Sequence, residues 1–137
     1  MRTVAFRVPG EARGKARPRV TRGGVHTYTP DPGGFVERVT AHAVEAGLQA
    51  RADYEGAVEV SVLIGRAMPQ GWSKKRRAQT EGEPCLVKPD SNNVLGAVLD
   101  ALNRVAFIDD AQVYRVRAQK AWAYEHSVQV GITYSGT

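Results

Sequence analysis

The sequence predicts an α+β fold in which a small mixed, mainly antiparallel sheet carries helices on one face. Two observations support this class: four segments alternate apolar and polar residues, and two segments repeat apolar residues at helical spacing. Their order is β-α-β-α-β-β, with a short helical turn before the second helix. One sheet with its helices packed together on one side is the simplest arrangement that buries every apolar stripe.

The first half of the chain begins with a strand and continues through a basic loop. Thr3 to Val8 alternates and predicts the first strand. Residues 11–32 contain Gly, Pro and five cations without any period, so we expect a loop or arm there. Helical spacing over residues 34–47 predicts the first helix, and strong alternation over residues 56–64 predicts the second strand.

The second half contains the remaining helices and strands. Ser73 can cap a short helical turn, and apolar spacing from Asn92 to Asn103 predicts the second helix. Asp100 opposes the dipole near the end of that helix, so it either points into water or is held by a cation. Residues 113–122 predict a third strand, and residues 127–134 predict a fourth strand hairpinned to the third.

Size and composition indicate one globular domain covering residues 1–137. No apolar run approaches the roughly 18 residues of a membrane span, and the N-terminus lacks a signal-peptide pattern, so we expect a cytoplasmic protein without a membrane partner. Cys85 is the only cysteine, which excludes an internal disulfide and a multi-cysteine zinc site. The net charge of +5 favours a polyanionic partner.

Basic residues concentrate in two tracts, one in the loop at residues 11–32 and one at residues 74–77. Together the tracts hold nine of the 19 basic residues, whereas the acidic cluster described next lies apart from both. Basic surface around an acidic pocket is typical of a metal-dependent enzyme that acts on phosphodiesters. The candidate DNA contacts are Lys15, Arg17, Arg19, Arg22, Lys74, Lys75, Arg76, Arg77 and Lys88.

Side chains with carboxylate or amide oxygens lie before and after the second helix. Asp90 and Asn92 lie at its start, and Asp109 and Asp110 follow it just before the third strand. Oxygen ligands of this kind suit Mg²⁺, which can activate water and neutralise a phosphodiester. Lys120 lies in register with apolar neighbours, where it can stabilise a developing anion. Each aspartate alone is equally explained by capping, turn formation or solvation, so only their combination favours a metal site.

The same residues carry a resemblance to a known family. Residues 88–96, 100–103 and 109–113 resemble the RusA-type Holliday junction resolvases, small endonucleases common in phages and prophages. Residues 8–10, 15–19 and 72–76 resemble the phage-encoded branch, so the likeness covers nearly the whole chain.

The resemblance implies a homodimer that nicks two opposed strands of a four-way DNA junction during recombination and repair. It implies Mg²⁺, with Mn²⁺ as a possible substitute, and no organic cofactor. The implied metal ligands are Asp90, residue 92 and Asp110, with Asp109 beside them, and Asp90, Asn92, Asp110 and Lys120 are the expected catalytic residues.

Two positions depart from the family pattern. Asn92 stands where the family has aspartate, and Gly96 stands where it has lysine. An amide oxygen can coordinate a cation, but it removes one negative charge and cannot act as a base. Either the protein cleaves weakly, with Lys120 compensating, or the amide was introduced to give an inactive enzyme.

Two other functions remain open on the sequence. The lost carboxylate and lysine are compatible with a homodimer that binds branched DNA without cutting it. A small RNA-binding module is the other alternative, but the third and fourth strands lack the exposed aromatic pair that RNA platforms use.

Overall fold

A computed structural model describes residues 1–21, 23–24 and 26–136. In chain order the strands are β1 (Arg2–Pro9), β2 (Arg19–Val20), β3 (Thr27–Tyr28), β4 (Val58–Ala67), β5 (Val113–Ala123) and β6 (Ser127–Tyr134). The α-helices are α1 (Phe35–Glu45), α2 (Lys74–Thr80) and α3 (Ser91–Leu102). Three short 3-10 helices occupy Pro32–Gly34, Leu48–Arg51 and Asp110–Gln112.

Four strands form the main sheet in the order β1-β6-β4-β5. β6 pairs antiparallel with β1 and β4, whereas β4 and β5 run parallel, so the sheet is mixed and mainly antiparallel as predicted. Residues that pair across neighbouring strands form rows. One row contains Val8 of β1, Val128 of β6, Ile64 of β4 and Lys120 of β5. Helices α1 and α3 contact each other and pack on the apolar side of these rows, which confirms the α+β class with helices on one face.

The predicted hairpin between the last two strands is wrong. β5 lies at the edge beside β4, and β6 lies between β4 and β1. The connection at residues 124–126 passes the end of β4, where Nδ1 of His126 accepts a hydrogen bond from the Ala67 N–H at 3.1 Å. Two strand spacings amount to roughly 10 Å, which three extended residues can cross. A short connection therefore does not require that the strands it joins be neighbours.

The basic loop at residues 11–32 is more regular than its sequence indicates. β2 and β3 pair antiparallel within it as a small hairpin, which the lack of periodicity did not predict. Before this hairpin, Arg38 donates a hydrogen bond to the Glu11 carbonyl oxygen at 2.9 Å. The Lys15 backbone N–H donates to the Asn93 carbonyl oxygen at 3.0 Å. The first residues of the arm are therefore held against α1 and α3.

The core lies between the sheet and the two long helices. Each helix buries a stripe at helical spacing, formed by Phe35, Val39 and Ala43 in α1 and by Val94, Val98 and Leu102 in α3. β4 and β6 bury alternate residues, as their sequences predict. Tyr134 at the end of β6 is fully buried, and its hydroxyl donates to the Ala106 carbonyl oxygen at 2.8 Å. This hydrogen bond ties the last strand to the segment that follows α3.

The helix ends follow the predicted signals closely. Gly47 follows α1 with a φ of 86°, a left-handed conformation that glycine adopts without steric cost. Ser73 caps α2 by accepting a hydrogen bond from the Arg76 N–H at 3.1 Å. α3 begins and ends one residue earlier than predicted. Within the described residues, no helix combines the length and apolar character needed to cross a bilayer.

Removing the Tyr134 hydroxyl should cost stability. In Tyr134→Phe the buried Ala106 carbonyl loses its donor, so the free energy of unfolding should fall by about 1–3 kcal/mol. Urea denaturation measures this change. Tyr124→Phe is the control, because the Tyr124 side chain is exposed. Equal losses in the two variants would contradict the role given to Tyr134.

The same hydroxyl predicts a loss of stability at alkaline pH. Burial raises the pKa of Tyr134 to about 12, from an ordinary value of 10.0. The folded state therefore favours the neutral phenol, and this contribution is complete below the ordinary pKa and lost as the pH rises through the folded-state pKa. Between pH 10 and 12, the wild type should lose more unfolding free energy than Tyr134→Phe. Parallel pH profiles would refute this assignment.

Candidate functional site

Helix α3 carries a polar stripe beside its buried one. Asn92, Gly96 and Asp100 recur every four residues, a spacing that places them on one side of a helix. Asp90 precedes the helix as its N-cap, with extended backbone angles of φ −68° and ψ 138°. Because the apolar stripe packs in the core, the polar stripe faces outward towards the arm and the segment before β5.

Two lysines act on Asp90. Lys88 Nζ is 2.9 Å from Asp90 Oδ1, and this hydrogen bond holds the pKa of Asp90 below its ordinary value, helped by the charge of the lysine. The charge of Lys120 lowers it further by a smaller amount. Lys120 is half-buried beside Ile64 of β4, and its ammonium group donates to the Val87 carbonyl oxygen. The inward-facing cation predicted for the third strand therefore lies near Asp90.

Asp109 and Asp110 belong to a tight turn that is fixed to the segment before β4. Oε1 of Gln112 accepts a hydrogen bond from the Asp109 N–H at 2.9 Å, and the Asp109 carbonyl oxygen accepts one from the Gln112 N–H at 3.0 Å. Gln112 Nε2 also donates to the carbonyl oxygens of Tyr54 and Gly56, at 2.7 and 2.9 Å. Gln112 was not among the predicted site residues, although an acid followed three residues later by glutamine is the spacing of a capping box.

The carboxylates around this turn influence one another. The pKa of Asp110 is raised, first by its hydrogen bond with the Asp109 side chain, then by loss of hydration and by the charges of Asp109 and Asp100. The charge of Lys15 acts in the opposite direction. Like charges at close range favour the protonated form. This part of the site therefore has an excess of negative charge.

Lys15 reaches these acids from the arm. Its Nζ lies 3.3 Å from Oδ2 and 3.4 Å from Oδ1 of Asp100. Its Cδ lies 3.5 Å from the position that a Cβ would take on Gly96. The sequence predicted that water or a cation would hold Asp100, and the structure identifies the cation as Lys15. The partner itself was missed, because a contact between residues 85 positions apart leaves no periodic signal.

The predicted metal residues fall into two groups. Asp90 and Asn92 lie at the start of α3, whereas Asp109 and Asp110 lie with Asp100, which is roughly 12 Å further along the helix axis than residue 92. Over the described part of the chain, no hydrogen bond or ion pair joins the two groups, and no three His, Cys, Asp or Glu side chains could hold a metal ion together. Their oxygens are still the donors that Mg²⁺ and Mn²⁺ prefer. The metal assignment therefore stays a prediction that the ligand chemistry fits.

The basic residues of the arm differ in what they contact. Arg17 and Arg19 are exposed and can reach a phosphate backbone. Lys15 and Lys88, which we predicted as DNA contacts, are each paired with an aspartate of the site. Arg22, another predicted DNA contact, lies outside the described residues.

The second basic tract forms the short helix α2. Lys74 and Lys75 are exposed on it. The Arg76 guanidinium lies 3.7 Å from the centre of the Trp72 ring, a cation-π contact that orders the side chain. Arg77 is half-buried. Two lysines and one ordered arginine of this tract are thus available to a polyanion.

The chain is similar to a known protein family and to a curated protein. The family model for endodeoxyribonuclease RusA matches residues 9–133. The chain is also 30% identical over 138 residues to YqaN of Bacillus subtilis strain 168, named as an uncharacterized protein. That match covers 96% of this chain and 96% of YqaN.

Removing the Gln112 side chain should loosen the acidic turn. In Gln112→Ala the Asp109 N–H and two carbonyl oxygens lose their partners, which should lower the unfolding free energy by about 1–3 kcal/mol. Exchange of the Asp109 amide proton, followed by NMR, should become faster. Gln119→Ala is the matched control, because Gln119 is exposed on β5. Unchanged exchange in Gln112→Ala would show that Gln112 does not hold the turn.

Proposed function

Because the chain belongs to the RusA endodeoxyribonuclease family, we propose that it resolves four-way DNA junctions by paired symmetric nicks in a reaction that depends on Mg²⁺. The family implies endodeoxyribonuclease activity on Holliday junctions. The observation that carries the proposal is a group of carboxylates, with lysines paired to Asp90 and Asp100, on a chain whose net charge is +5. A protein that only binds nucleic acid has no use for such a group, since carboxylates repel phosphates.

The metal would be held by Asp90, Asn92 and Asp110, with Asp109 beside them, which requires the start of α3 and the acidic turn to close on one ion. RusA resolvases are generally dependent on a divalent metal, and these four side chains offer only oxygen atoms, the ligands that Mg²⁺ and Mn²⁺ take. When bound, such an ion lowers the pKa of water and neutralises charge on the phosphodiester.

The lysines of the site supply the remaining positive charge. Lys88 holds the pKa of Asp90 further below its ordinary value through their hydrogen bond, and the ionised carboxylate is the form able to bind a cation. Lys120, half-buried next to the segment that carries Lys88, is suited to stabilise the negative charge that develops when the phosphodiester breaks. The half-buried position limits the conformations of Lys120, so its charge is preorganised.

DNA would lie across the two basic tracts. Arg17 and Arg19 on the arm and Lys74 and Lys75 on α2 are exposed, and Arg76 is ordered by its ring contact. Contacts of this kind bind the sugar-phosphate backbone and carry no sequence information. The DNA of a bacterial or phage-infected cell, and therefore its cytoplasm, is where this activity would operate.

Two symmetric nicks require two active sites related by a twofold axis. A homodimer provides them, since a twofold-symmetric pair presents identical sites to opposed strands of a junction. We therefore include the homodimer in the proposed function.

A junction-binding protein that does not cut is the second candidate. It is favoured by one observation, the amide at Asn92, which provides one negative charge fewer than a carboxylate at the start of α3. The two candidates share the DNA surface and the dimer, so they differ only in the chemical step.

Cleavage of a labelled four-way junction in Mg²⁺ separates these candidates, because only a resolvase gives paired nicks. Asp110→Asn should reduce the cleavage rate by at least about 100-fold, since it removes a charged ligand, while junction affinity stays the same or rises. Asp53→Asn, at an exposed aspartate, is the matched control and should cleave normally. Binding without nicks by the wild type would favour the second candidate.

Restoring a carboxylate at residue 92 should accelerate cleavage. Asn92→Asp adds a charged ligand and should raise the Mg²⁺-dependent rate by roughly tenfold or more. The matched control is Asn93→Asp, which adds the same charge one position further along and should give no increase. Equal rates for Asn92→Asp and the wild type, with both proteins folded by circular dichroism, would count against residue 92 as a ligand.

A further inference from the structure

The polar stripe of α3 has a gap at Gly96, and the side chain of Lys15 fills it. A Cβ on Gly96 would lie 3.5 Å from Lys15 Cδ and 3.7 Å from Lys15 Cβ, which are ordinary van der Waals distances. The aliphatic stem of Lys15 therefore lies along the helix surface that Gly96 leaves uncovered. Its ammonium group ends next to both oxygens of Asp100.

We propose that Lys15 supplies a positive charge to this nuclease centre. Its side chain comes from the arm and crosses Gly96, the position on α3 where the family pattern has a lysine. The inference rests on the proposed function and adds Lys15 to its active site. The sequence had predicted Lys15 only as a DNA contact. In this role the ammonium group balances the acidic group formed by Asp100, Asp109 and Asp110 and faces the phosphodiester that enters there.

The backbone of the arm fixes the position of Lys15. Its N–H donates to the Asn93 carbonyl oxygen at 3.0 Å. At Gly14 a Cβ would lie 2.9 Å from Asn93 Cβ, a distance that real Cβ atoms do not adopt, so glycine lets the arm approach this closely. Earlier in the arm, Arg38 donates a hydrogen bond to the Glu11 carbonyl oxygen. Arg66 also forms an ion pair of 3.3 Å with the Glu11 carboxylate. These contacts fix the backbone of Lys15 and of the residues before it, so the Lys15 side chain starts from a defined position beside α3.

Stability gives no alternative reason for the Lys15–Asp100 pair. The two side chains are 52% and 41% exposed, and exposed ion pairs contribute little to stability. Lys15→Ala should therefore fold, and its effects can be read as effects on the site.

The test removes the lysine from the arm and then introduces a lysine on α3. Lys15→Ala should reduce kcat on a four-way junction by about 100-fold, as expected for loss of one preorganised charge, with junction affinity changed by less than about threefold. Adding Gly96→Lys to Lys15→Ala should recover most of this loss, because a lysine stem on α3 can occupy the same surface. Arg115→Ala is the control, since it removes an ion pair of 3.3 Å with Glu59 on the other side of the sheet.

A second readout does not depend on cleavage. In DNA-free protein, Lys15→Ala removes a positive charge from the acids and should tighten Mn²⁺ binding by about two- to fivefold in calorimetric titrations. Gly96→Lys in the same chain should weaken it again, and Arg115→Ala should leave it unchanged.

The outcomes separate this inference from the proposed function. Normal cleavage and unchanged Mn²⁺ affinity in Lys15→Ala would overturn the role of Lys15 and leave the nuclease intact. A loss confined to junction affinity would also overturn it, because that result describes a phosphate contact alone. If neither the wild type nor Asn92→Asp cleaves junctions, the proposed function fails and the role of Lys15 fails with it.

Discussion

Burial of one side of α3 is the constraint on which the site depends. Val94, Val98 and Leu102 are fully buried, and each contributes about 1.5–3 kcal/mol relative to exposure. The helix therefore cannot rotate about its axis without losing several kilocalories per mole. That fixed orientation turns the polar stripe towards the arm and the acidic turn, so the geometry of the site follows from the packing of the core.

The sequence predicts faces of strands better than it predicts their partners. A period of two identifies the buried side of β4 and β6, and both assignments are correct. The same pattern carries no information about pairing, so the short connection at residues 124–126 wrongly indicated a hairpin. The exposure of β5 in the structure explains its place: residues 114–117 are all exposed. Such a strand belongs at an edge, whereas β6, which buries four residues, belongs between two others.

The parts of the site that depend on local sequence were predictable, and the parts that depend on distant contacts were not. Lys88 and Asp90 are two residues apart, and the place of Asp100 near a helix end left two possibilities, water or a cation, of which the structure shows the second. The identity of that cation depends on how the arm docks on α3. Docking is decided by Gly14 and by backbone hydrogen bonds, and neither leaves a pattern in the sequence.

The charge balance of the site gives the amide at residue 92 a specific consequence. Four carboxylates are opposed by three lysines, which leaves one net negative charge: Asp90, Asp100, Asp109 and Asp110 against Lys15, Lys88 and Lys120. A phosphodiester adds a second negative charge, and the sum then matches one divalent cation. With an aspartate at residue 92, the site would carry two net negative charges before DNA binds.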